Sequence, residues 1–141
     1  TGGVGGPFTF ARTNILSVPP NITTVAAGTA TPASPTEINV TTLGTAITLT
    51  ETPAAGFVLA TGSCTDASSA FTGNSGSFGT LAGNVLTVPA AKVLLGADFT
   101  CVFTNTKLPT VTLTKISNGG VGGFTYTGTN GWTSQPLTTV T

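Results

Sequence analysis

CVFTNTKLPTVTLTKISNGGVGGFTYTGTNG, residues 101–131, holds the end of one β-rich unit and the start of another. Residues 119–130, GGVGGFTYTGTN, align with residues 2–14, GGVGGPFTFARTN, once Pro7 is counted as an insertion. The match carries Phe124 onto Phe8, Tyr126 onto Phe10 and Asn130 onto Asn14. Further on, Pro136 and the TTV of residues 138–140 fall near Pro20 and the TTV of residues 23–25. This is an internal repeat of roughly 116 residues. The chain therefore reads as one unit, residues 1–108, followed by a C-terminal extension, residues 109–141, that repeats its start.

Alternation of β-branched and aromatic residues governs the rest of the chain. Phe8 and Phe10 share one face at period two. Strands are predicted over residues 37–42 and 45–51, about Leu43 and Gly44. Further strands are predicted over residues 57–60 leading to Cys64, then 84–88, 98–106 and 111–116. Residues 28–35, GTATPASP, read as a loop, because Pro32 and Pro35 do not fit a central strand. Residues 66–80 read as a polar surface connection, and residues 90–95, between Pro89 and Gly96, are the one helix candidate. Many short strands with turn signals between them predict an all-β protein, an Ig-like β-sandwich.

Composition narrows the function. Charged residues are 6% of the chain, against about a quarter in ordinary soluble domains. Four Lys+Arg balance four Asp+Glu, which leaves no basic surface for nucleic acid or anionic lipid. So little charge suits a surface partly covered by copies of itself, because charge is what keeps monomers apart. There is no His and no Met. The usual acid–base side chains are nearly absent, and Thr1 reads as following a removed leader or an upstream part of a longer chain. The four acidic residues, Glu37, Glu51, Asp66 and Asp98, are scattered. No Cys/His cluster suggests a zinc site. The glycine pairs lack the strand–loop–helix setting of a phosphate cradle. Neither an enzyme nor a cofactor or metal is expected, and no apolar run approaches the ~20 residues of a membrane span. Cys64 and Cys101 form one bridge if the chain is exported, or stand as two buried thiols. Asn21 and Asn39 begin glycosylation sequons, which arise easily in a Thr-rich chain.

Strand parity gives the sharpest inference, because side chains alternate faces. One inward set is Ile47, Leu49 and Glu51; a second is Phe99, Cys101, Phe103 and Asn105; a third is Val111, Leu113 and Lys115. Each apolar stripe ends on a polar residue, and burying an ionised group unpaired is costly. The order of elements, the ETPAAGF turn at 51–57, the CVFTNTK strand and the TVTLTKISNGGVGGFTYTGTNG segment resemble the SpaA/CnaB-type, prealbumin-like domains of bacterial surface proteins. The resemblance covers nearly the whole chain. It implies an intramolecular-type isopeptide chemistry in which Lys115 is the nucleophile, Asn105 the acceptor and Glu51 the proton shuttle. That chemistry needs a neutral amine and a protonated carboxyl, and burial favours both neutral forms. The turn is one residue short of the family's form, Phe57 stands in place of Tyr, and Ser117 stands where an Asp is frequent. The alternative is that Glu51, Asn105 and Lys115 are rim residues at strand ends, Lys115 discouraging edge pairing.

In that family the lysine strand comes first, whereas here its only candidate is residues 109–117. Residues 1–108 thus read as a prealbumin-like sandwich lacking its first strand, and residues 109–117 as that strand. Strand addition to an open edge is a recognition mode, and a head-to-tail contact that does not close builds a filament. The expectation is a structural subunit of an extracellular or cell-surface filament that polymerises with copies of itself. Val111, Leu113, Lys115, Phe124 and Tyr126 form its assembly strand. The alternative is a fragment of a tandem-repeat surface stalk or adhesin with domains joined in cis. Trp132 and Tyr126 offer an aromatic platform for a host or carbohydrate ligand, although packing at a subunit junction accounts for Trp132 equally well.

Overall fold

The computed structural model describes residues 3–31, 37–128 and 135–140. Its strands, in chain order, are β1 (Thr9–Thr13), β2 (Ile47–Thr52), β3 (Phe57–Asp66), β4 (Thr80–Ala82), β5 (Val85–Val88), β6 (Phe99–Lys107), β7 (Gly123–Tyr126) and β8 (Gln135–Thr138). One helical turn, α1 (Ser69–Thr72), and a 3-10 turn at Ala90–Lys92 complete the elements. Two units separate, Thr1–Pro109 and Thr110–Thr141.

The first unit is an antiparallel sandwich. One sheet has the order β1-β2-β5-β4, and the other pairs β3 with β6. Because side chains alternate, Ile47 and Glu51 of β2, Leu86 and Val88 of β5 and Cys64 of β3 turn inward and are buried. Half-buried Leu49, Phe99, Cys101 and Phe103 pack against this core. Phe10 of β1 meets Phe103 of β6 edge-on at 5.4 Å, and Phe78 meets Phe99 at 5.7 Å. Cys64 and Cys101 face each other across the β3–β6 ladder and are joined as a disulfide.

The strands define two ends. Where β6 leaves the unit, the Leu108 amide donates to the Gly56 carbonyl at 2.8 Å. The Gly3 backbone lies against the Lys107 stem at this exit end. Gly5 lies against the Phe57 ring, so close that a Cβ would stand 2.3 Å from it. The opposite end gathers turns. Gly44 donates to the Val93 carbonyl (2.9 Å), Ala67 donates to the Asp98 carbonyl (2.8 Å), and the Phe71 ring covers Gly96. Asn14, at φ 59°, holds the 41–45 turn there: its amide donates to the carbonyls of Thr42 and Thr45, and its oxygen accepts from Thr41 and Thr42. Asn is one of the few residues that tolerates this left-handed geometry.

Asp66 organises the turn end. Its carboxylate accepts from the Ser68 and Asp98 amides, both at 2.9 Å, from Thr72 Oγ1 at 2.6 Å and from Asn74 Nδ2 at 3.0 Å. Burial alone would raise its pKa, but the bonds from Thr72, Asp98, Asn74 and Ser68 outweigh that and hold it at about 2, below the ordinary 3.8. A depressed carboxyl contributes stability that is present above 3.8 and is lost as pH falls toward 2. Asp66→Ala is therefore expected to lose stability at pH 6 and to lose less of it at pH 3 than the parent does. Urea midpoints of both proteins at the two pH values check this. Parallel pH slopes would rule Asp66 out as the source.

Three expectations change. Residues 37–42 make only an isolated bridge, Val40 to Ile15, because one turn follows at once and Asn14 claims its amides. The 66–80 connection is not merely surface: it contains α1 and buries Asp66 and Asn74. Residues 111–116 pair with nothing among the described residues, and Val111 and Ile116 are each 81% exposed. Alternation makes that segment competent for a strand, but a strand needs a partner edge. Trp132, the main member of the proposed aromatic platform, and Asn130, the last pair of the 119–130 alignment, lie outside the described residues, whereas Tyr126 is on β7.

The second unit repeats a motif of the first. In unit one, Phe8 bridges Ile22, and Thr24 clamps Gly5: the Gly5 amide donates to Thr24 Oγ1 (2.9 Å) and the Thr24 amide to the Gly5 carbonyl (2.9 Å). In unit two, Phe124 faces Leu137, and Thr139 clamps Gly122 in the same way, at 3.0 Å for each bond. The clamp threonines belong to the two TTV triplets of the sequence repeat.

A groove between two sheet edges

β1 and β6 are edge strands of different sheets, and among the described residues no strand pairs with the second edge of β6. Between them runs a groove of about 350 Å³. Phe8 and Phe10 form one wall, residues 100–105 of β6 the other, and residues 28–31 overhang it.

Two polar side chains lie in the groove. Glu51 is placed by the β1–β2 register, opposite Phe10, and by its amide bond to the Asn84 carbonyl (2.9 Å). Asn105 is placed by pairing with Leu59 of β3. Both are buried, at 1% and 4% exposure. Neither Glu51 carboxylate oxygen nor Asn105 Oδ1 has a hydrogen-bond partner. Burial pushes the Glu51 carboxyl above 4.5, and the facing Asn105 amide pulls it back only in part. With no full hydrogen bond formed, that amide acts as a nearby dipole. Orphaned buried polar groups cost roughly 1–3 kcal/mol each and are rare in folded proteins. Among the described residues three of the four such atoms, all but Arg12 Nε, lie in this groove, with a protonatable carboxyl beside a carboxamide. A carboxyl of this kind is suited to proton transfer with a group beside it.

The sequence-predicted residues divide as follows. Cys64 and Cys101 form the disulfide, and Glu51 and Asn105 meet in the groove. Lys115 belongs to the second unit, where its Nζ donates to the Ile116 carbonyl and sits 4.7 Å from the Phe124 ring centroid. Val111 and Leu113 are exposed, and Phe124 and Tyr126 are half-buried on β7. The reading of the residues missed the Thr24 clamp and the groove-lining loop 28–31. The repeated TTV was the available signal for the first, and nothing in the loop's composition marks the second. Among the described residues no group of three or more Cys, Asp and Glu side chains converges as a metal site, and no helix is long and apolar enough to cross a membrane.

The family model of the SpaA-type prealbumin-like fold domain matches residues 1–107. Neither the curated proteins nor the solved structures give a match.

Proposed function

The chain belongs to the SpaA-type prealbumin-like fold domain family, and on that basis we propose that it is a structural module of a bacterial cell-surface fibre, its groove filled by a strand of the 109–117 sequence. Domains of this family are structural parts of bacterial surface proteins. The observation that carries the reading is the groove with Glu51 and Asn105 orphaned inside it.

The repeat supports one position for the filling strand. Phe124 is the counterpart of Phe8, and Lys115 lies over Phe124. A strand that precedes Gly3 as residues 109–117 precede Gly120 brings its lysine to Phe8, beside Glu51 and Asn105. Gly3 lies at the exit end against Lys107, so that strand runs toward the exit end, parallel to β6. Its lysine Nζ then attacks Asn105 Cγ. The new amide bond forms as the Cγ–Nδ2 bond breaks, Glu51 passes the amine proton to the departing nitrogen, and ammonia leaves. Donation from a neighbouring copy joins subunits head to tail into an extracellular filament. A second reading, favoured by the repeated threonine clamp, supplies the strand in cis from a preceding repeat of one long stalk.

The test places residues 109–117 directly ahead of Thr1, in the register of the repeat. The product should be a monomer lighter by one ammonia. Filling should stabilise it by about 3 kcal/mol, as a site does when its ligand is a hundredfold above its dissociation constant. Changing the added lysine to alanine should restore the mass while keeping part of the stabilisation. Unchanged mass and unchanged denaturation together would sink the reading. Intact mass and negative-stain microscopy of the unaltered chain then separate its two forms. A covalent ladder or filaments indicate donation between copies, and lone monomers indicate supply in cis.

A further inference from the structure

The turn end of the first unit exposes four large apolar side chains: Leu43 (54%), Phe71 (76%), Leu94 (41%) and Leu95 (73%). Their positions adjoin at this end. Leu43 adjoins Gly44, which bonds to Val93, the residue before Leu94, and the Phe71 ring lies on Gly96. Contiguous exposed apolar patches mark interaction sites.

Strand direction identifies the occupant, given the strand-filling reading above. With its lysine level with Asn105 and running parallel to β6, the filling strand has Val111 level with Cys101 and Pro109 level with Phe99. Its Leu108 then lies just beyond the start of β6, beside the 94–98 turn. In the donor, Leu108 is the residue bonded to Gly56 at the exit end. Residues 108–110 span at most ~10 Å even when extended. A donor therefore cannot stand off from its recipient. Its exit end offers Ala55, half-exposed Leu108 and Pro109; residues 53–56 and 108–109 carry no charge, and exposed Lys107 beside them is the charge at that end.

We infer that the Leu43–Phe71–Leu94–Leu95 surface is the docking face for the exit end of a second copy of this chain, so that successive units abut rather than hang on a flexible link. The face buries apolar area at each junction and sets the angle between units.

The test uses the full chain carried behind residues 1–117 of another copy, which joins donor and recipient in repeat register. A photo-crosslinking residue replaces Phe71, Val102 in the groove, or Ala60 on the outer face of β3, each in the second copy. Position 102 should capture residues 109–117 of the first copy. Position 71 should capture its residues 53–57 or 107–109, with at least tenfold the yield from position 60. Capture at 102 with none of these peptides at 71 overturns the docking face and leaves strand filling intact. Absence of capture at both positions overturns strand filling and the docking face together.

Discussion

Replacing Glu51 and Asn105 together by leucine is expected to stabilise the unfilled chain at pH 7 by about 1–4 kcal/mol, the range seen when buried charged groups give way to packed apolar ones. The same variant should form no covalent link to a filling strand. The two effects point in opposite directions, which is what separates a functional pair from a structural one. Residues kept for stability lose stability when they are replaced; residues kept for chemistry give it back. The pH dependence follows from the raised Glu51 carboxyl. Below 4.5 the group is protonated in both folded and unfolded states and carries no penalty. As pH rises through 4.5 the unfolded chain ionises first, and the parent loses stability that the variant does not. The advantage of the double variant should therefore be largest at pH 7 and shrink toward pH 4. Urea midpoints of both proteins at the two pH values measure it. A variant less stable than the parent at pH 7 would return Glu51 and Asn105 to a structural role.

Loss of the Cys64–Cys101 bond should have the largest destabilising effect. The cysteines are 37 residues apart in sequence, and in the chain-entropy model closing a loop of that size contributes about 4 kcal/mol. Small domains have only about 5–15 kcal/mol in all. Cys64→Ala/Cys101→Ala should thus remain folded at 25 °C but unfold at much lower urea, and the parent in reductant should behave similarly. The bridge joins facing residues of β3 and β6, so it also fixes the strand on which Asn105 sits. A loss below about 1 kcal/mol would show that it constrains the unfolded chain far less than loop closure implies.

Parity made the burial of the groove's polar pair legible in the sequence. Ile47 and Leu49 point inward, so Glu51 must as well; Phe99, Cys101 and Phe103 do the same for Asn105. The repeat was legible because Phe8 and Phe124, and the two TTV triplets, recur at nearly one spacing. What escaped was whatever depends on a partner. Residues 111–116 alternate correctly, yet alternation states only which faces a strand would have. Residues 37–42 alternate too, but the Asn14 side chain holds the turn that ends them. The four residues of α1 are too few to show a helical period, and what fixes that end is Asp66, which gathers nearby Ser68, Thr72 and Asn74 and ties them to the Asp98 amide 32 residues away. A groove between edges of two different sheets has no signature along the chain at all.

The two walls of that groove lie at opposite extremes of the unit. β1 follows almost at once on its start, and its Phe8–Ile22 bridge and Thr24 clamp close within the first 24 residues. β6 is the last strand before Pro109. A ribosome delivering this chain from its N-terminus releases β1 first, to be paired once β2 follows, and cannot present the second wall until the whole sandwich has emerged. On the strand-filling proposal, the acceptor then opens for capture only once its unit is complete. A nascent, half-made unit has no slot in which a neighbour's strand could lodge prematurely.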